Sequence, residues 1–149
     1  MPAFAHTHET TIAAPVTTVH ALVSDFRHWP QWSPWDDLDP ELERRYVGTG
    51  VGASYHWKGN NKAGEGTMRF TAITADRIDV DLEFRKPFRV RNEVVFTLTP
   101  VAGGTRVAWT MSGERNPVFA VLGRLFLDKA IGKDFDRGLA SLKAAAEAA

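Results

Sequence analysis

IDVDLEF, residues 78–84, decides the fold. Ile78, Val80, Leu82 and Phe84 alternate with Asp79, Asp81 and Glu83, so one face of a strand is apolar and the other is acidic. The same period of two runs outward in both directions. Upstream, Tyr55 and Trp57 alternate with Ser54 and His56, and Met68, Phe70 and Ala72 alternate with Thr67, Arg69 and Thr71. Downstream come Phe88, Val90, Val94, Phe96 and Leu98, then Val107, Trp109 and Met111. Gly59-Asn60-Asn61, Ala75-Asp76, Lys86-Pro87 and Gly103-Gly104 separate these runs, and such short punctuation predicts an antiparallel meander. A turn centred on Lys86 predicts Asp81 opposite Arg91 and Glu83 opposite Arg89. A slip of one residue would carry those charges onto the apolar face.

The flanks complete the architecture. A first strand is expected over residues 7–13, and Pro15 suits the first turn of a helix whose apolar face carries Val19, Leu22, Val23 and Phe26. Residues 28–37, with Trp29, Trp32, Trp35, Pro30 and Pro34, are too broken for a long helix and predict a short helix or a pair of turns. The tryptophans there read either as a hydrophobic plug or as the rim of a cavity. After Pro117 the chain reads as helical to its end, with Ile131, Phe135, Leu139 and Leu142 in one stripe and Lys129, Lys133, Asp136 and Lys143 towards water. The Ala-rich stretch 143–149 is expected to fray. One strand, two short helices, six strands and a long helix make an α+β fold of one domain over residues 1–149. Its seven-stranded antiparallel sheet curves around the C-terminal helix.

Composition narrows the function classes. The 149 residues carry 18 Lys plus Arg and 18 Asp plus Glu, so the chain lacks the basic surplus that a nucleic-acid binder uses. Cysteine is absent, which removes disulfides, thiolate catalysis and sulfur-held zinc. Residues 1–9 have neither a basic nor an apolar signal-peptide region, and 118–127 is too short to span a bilayer. The expectation is a cytoplasmic protein without stable membrane insertion.

Certain stretches carry a resemblance. TIAAPVTTVHALVSDFRHWPQWSPW, GVGASYHWKG, GEGTMRF and GTRVAWTMSG are similar to the START-like or SRPBCC superfamily, closest to its polyketide cyclase/dehydrase-like branch. The most specific piece is Ala14-Pro15 followed, after one helix, by Asp25, Trp29 and Trp32. The resemblance implies a helix-grip fold with a cavity between the sheet and the last helix. His20 departs from it, since many members carry tryptophan there.

The expected ligand-binding set is Tyr55, Trp57, Met68, Phe70, Phe84, Asn92, Phe96, Trp109, Met111 and Phe126, with Phe88 on the same inward phase. Aromatic residues at strand spacing are commonly plain core, but one helix does not fill the concave face of a wide sheet, and leftover volume tends to be a pocket. Asn92 is the polar residue of the inward phase, between Val90 and Val94; it hydrogen-bonds a backbone group or water, or it orients a ligand. His6-x-His8 lacks further ligands at metal spacing, and neither it nor His56 predicts a metal or other cofactor. Both are expected at the surface or at strand ends. Asp79, Asp81, Glu83, Glu93, Glu65 and Arg69 fall on the outward phase, while Asp25 and Asp36 read as turn or cap residues. Ser33 and Ser112 have no readable triad partners, and Gly48-x-Gly50-x-Gly52 precedes a strand instead of a helix. The leading expectation is a non-enzymatic binder of a small lipophilic molecule. The family branch implies, as a rival, a cyclase or dehydratase that works by positioning its substrate. The apolar segment Phe119, Val121, Leu122, Leu125 and Phe126 could be lid, core, or the interface of a homodimer or other partner.

Overall fold

The computed structural model describes residues 3–34, 41–60, 64–86, 89–114 and 128–149. Strand β1 (Ala3–Ile12) is followed by helix α1 (Val16–Val23) and a 3-10 helix (Phe26–Gln31). Six strands come next: β2 (Glu43–Val47), β3 (Ser54–Lys58), β4 (Glu65–Ile73), β5 (Arg77–Lys86), β6 (Val90–Val101) and β7 (Gly104–Glu114). A C-terminal helix, Asp128–Ala148, ends the chain. The strands form one antiparallel sheet in the order β1-β7-β6-β5-β4-β3-β2.

Two irregularities between β4 and β5 help to bend the sheet, as bulges do. The one between Phe70 and Ala72 leaves Thr71 as the extra residue and resets the phase. Ala72 then pairs with the outward Asp79, and it is Ile73, opposite Ile78, that packs on the core. The alternation read through Ala72 therefore breaks one residue early.

The β5–β6 register is also corrected. Glu83, not Asp81, lies opposite Arg91, and Asp81 faces Glu93. The whole pairing is displaced by two residues from a turn centred on Lys86, a shift that keeps every side chain on its face. Arg91 still reaches Asp81 diagonally, with Nε to Oδ1 at 3.0 Å and Nη2 to Oδ2 at 2.6 Å, and so offsets the like charges of Asp81 and Glu93. Arg77 pairs with Asp79 on the same outer face, Nε to Oδ1 at 2.7 Å.

The C-terminal helix packs along β1 inside the curve, burying Phe135, Leu139, Leu142 and Ala146. Its end is tied down instead of frayed. Glu147 Oε2 accepts the backbone N–H of Ala13 at 2.9 Å and pairs with Lys143, whose Nζ donates to the Thr11 carbonyl at 3.3 Å. These bonds hold the Glu147 carboxyl below the usual carboxylate range, Lys143 contributing most. Gly138 sits where a Cβ would stand 2.7 Å from Trp109 Cζ3, so this glycine sets how closely the helix approaches the sheet. No helix among the described residues is long and apolar enough to cross a membrane.

Candidate ligand-binding site

The inner face of the sheet is best followed row by row. One row crosses β3 to β6 through Trp57, Gly66, Phe84 and Val90, and the next runs Tyr55, Met68, Leu82, Asn92 and Gly113. Val80, Val94, Met111 and His6 follow, with Phe70 beside Val80, and then Phe96, Trp109 and His8. The pairings thus bring all the expected ligand-binding residues from β3 to β7 onto one face. Phe126, Phe88, Trp35, Asp36 and the rest of the 119–126 segment lie outside the described residues.

The two ends of this face differ. At one end, aromatic rings fill the curve. Phe26 stacks on Phe70 with centroids 3.9 Å apart, and Trp109 stacks on Phe135 at 4.3 Å and on Phe96 at 5.0 Å. Trp32 stands edge-on to both Phe96 and Trp109. Trp29 and Trp32 donate their indole N–H groups to the carbonyls of Val23 and Leu22, each at 2.9 Å. Both indoles are buried, so of the two uses read for these residues the structure gives the plug. Asp25 acts as a cap, accepting the Arg27 N–H at 2.9 Å.

At the other end the inward side chains are less covered. Trp57 and Phe84 are only half-buried although both point into the curve, and they meet edge to face at 5.5 Å. Tyr46, Tyr55 and Trp57 stack in sequence beside them, at 5.1 and 6.0 Å. The Trp57 ring lies over Gly66, where a Cβ would stand 2.4 Å from Cη2. Asn92 is 5% exposed, between Leu82 and Gly113, and its Oδ1 has no hydrogen-bond partner among the described residues.

The histidines need a correction. His6 and His8 are half-buried on the inward phase of β1, not loose surface groups. His8 Nδ1 donates to Asp136 Oδ1 of the C-terminal helix at 2.8 Å, and its ring meets Phe135 edge-on at 5.6 Å. The pair was hidden in the sequence because its members stand 128 residues apart and helix position 136 reads as water-facing. His56, on the outer face, is bracketed by Ser54 Oγ at Nε2, 3.1 Å, and Thr67 Oγ1 at Nδ1, 3.0 Å. Burial first, then Arg45 and Arg85, lower its pKa. A serine nucleophile needs an acid behind its histidine; His56 has two cations near it, the reverse of a triad. His20 Nε2 donates to the Thr74 carbonyl at 2.8 Å and joins α1 to the β4–β5 turn. No group of three or more histidines and carboxylates that could hold a metal ion occurs among the described residues.

Solved structures share this fold at low identity. A Chromobacterium violaceum protein is 15% identical with a TM-score of 0.64, and the match covers 96% of each chain. KanY, solved by NMR, is 17% identical with a TM-score of 0.73, covering 99% of each chain. DynU16, from the dynemicin biosynthetic locus, is 18% identical with a TM-score of 0.65, the match covering 94% of this chain and 46% of that one. No curated protein matches the sequence. A family described as polyketide cyclase / dehydrase and lipid transport matches residues 4–147, and the chain belongs to that family.

Proposed function

We propose that the protein binds a small hydrophobic or aromatic molecule inside the curve of the sheet, at the end away from the Trp109–Phe135 stack. The carrying observation is that Trp57 and Phe84 point inward yet stay half-buried, whereas the rings at the other end are sealed. Apolar surface held inward but only partly covered favours a ligand that covers the rest, at about 25 cal/mol per Å². Of the expected set, Tyr55, Trp57, Met68, Phe84, Asn92 and Met111 would line the site. Phe70, Phe96 and Trp109 belong to the sealed aromatic end and back the site without lining it.

Binding without chemistry is the first reading. A second, a cyclase- or dehydratase-like reaction as in the family description, is favoured by one observation: His8, on the inner face, has its Nδ1–H fixed by a carboxylate. That arrangement leaves Nε2 as a base or a donor.

The test is titration with anilinonaphthalene sulfonate, followed by energy transfer from tryptophan. One equivalent should bind the folded protein. Phe84→Ala should weaken that binding roughly tenfold, the worth of about 1.4 kcal/mol of lost apolar contact. A cooperatively folded protein that leaves the probe dark refutes the proposal.

A further inference from the structure

Asn92 places a polar group in an otherwise apolar neighbourhood. Leu82 faces it from β5, Val94 follows it on the same face of β6, and both are 3% exposed. On the β7 side it faces Gly113, which has no side chain to cover or bond it. Its Oδ1 has no partner among the described residues. A buried carbonyl oxygen left unbonded is destabilising, so such a group persists where something that is not always present satisfies it. Water could do so, and so could a ligand.

We infer that Asn92 is a specificity determinant that selects ligands carrying a hydroxyl on an aromatic ring over the matching hydrocarbons. The inference rests on the binding proposed above and adds the chemistry of the ligand's polar end. An oxygen acceptor calls for a donor. An ammonium donor would have to leave water for apolar surroundings at high cost, whereas a hydroxyl loses much less. A hydroxyl also donates and accepts, so it satisfies the carboxamide whichever way its oxygen and nitrogen are turned. A ring bearing that hydroxyl meets Phe84 and Trp57 in the adjoining row, where aromatic faces are half-buried.

The experiment compares 2-naphthol with 2-methylnaphthalene, nearly equal in shape, by calorimetry and by quenching of tryptophan emission. The wild type should prefer the naphthol at least about tenfold, although water solvates the naphthol better. In Asn92→Leu that preference should fall to twofold or less, with methylnaphthalene affinity kept or raised. Equal binding of the two compounds by the wild type overturns the inference while the apolar site stands. A preference that survives in Asn92→Leu also overturns it. Silence from both compounds refutes the binding reading and this inference with it. If Asn92→Leu fails to fold, Asn92→Ala replaces it, with the same loss of preference expected and the same survival of preference overturning the inference.

Discussion

Gly66 and Gly50 show how differently one residue type acts. A Cβ on Gly66 would stand 2.4 Å from the Trp57 ring and 2.5 Å from the Glu83 carbonyl, so Gly66→Ala must displace the indole. It should cost about 1–3 kcal/mol by overpacking and shift tryptophan emission to the red. Gly50 has nothing within 4 Å of such a Cβ, but its φ of +71° disfavours alanine. Gly50→Ala should cost about 1–2 kcal/mol and leave the emission unchanged. Equilibrium denaturation and fluorescence of both variants check the pair. His56 supplies a pH prediction. Its folded pKa is lowered, so the unfolded chain binds the proton first, and the stability this residue contributes is fully present above about pH 6.5. It is lost as pH falls through the folded value. His56→Gln should flatten that acid-side decline as pH falls below about 6.5, as read from denaturation midpoints. The strand's phase alone turns His56 outward; Arg45 and Arg85 come from other strands, and only the fold brings them beside it.

At the scale of elements, the apolar alternation made the strands legible and left their offsets open. The two-residue displacement of β5 against β6 moves no side chain to the wrong face, so hydrophobic pattern alone does not exclude it. Charge pairing was the remaining guide, and it misled because Arg91 is long enough to bond Asp81 on the diagonal. The bulge at Thr71 was likewise invisible, since Ala72 and Ile73 are both apolar and either satisfies the pattern. The end of the C-terminal helix departs from its sequence pattern for a different reason. Its alanines predict weak anchoring, but the hold comes from Glu147 on the Ala13 N–H, a contact spanning 134 residues. Glu147→Gln should lower the melting temperature at neutral pH and reduce its fall on acidification. The Glu147 carboxyl is held low in the folded state, so its contribution is present above about pH 4.5 and lost as pH falls through the folded pKa. Thermal melts at pH 7 and pH 3.5 check both.

At the scale of the whole molecule, inward phase identified the residues of the candidate site but could not divide them. Trp109 and Phe84 look alike in the sequence, as aromatic residues at strand spacing. What separates them is that Phe135 of the C-terminal helix and Trp32 pack against Trp109, which is 1% exposed, whereas Phe84 is only half-buried. Stability and binding should therefore separate along the sheet. Trp109 is 1% exposed among Phe135, Phe96 and Trp32, so Trp109→Ala should cost about 3–5 kcal/mol of stability. That is survivable where the total is about 5–15 kcal/mol. While folded, the variant should keep its affinity for the naphthalene probe within about threefold, since Asn92 lies two rows from Trp109 and Phe84 three. Phe84→Ala should do the opposite, costing about 1–2 kcal/mol because its side chain is already partly exposed, and weakening the probe about tenfold. Saturating the wild type at a hundred times its dissociation constant should add about 2.7 kcal/mol, raising the melting temperature by several degrees, and Phe84→Ala at the same concentration should gain less. Denaturation and probe titration of the two variants decide the matter. If Trp109→Ala abolishes binding while Phe84→Ala spares it, the ligand sits against the C-terminal helix at the aromatic end, and the division of the face proposed here is reversed.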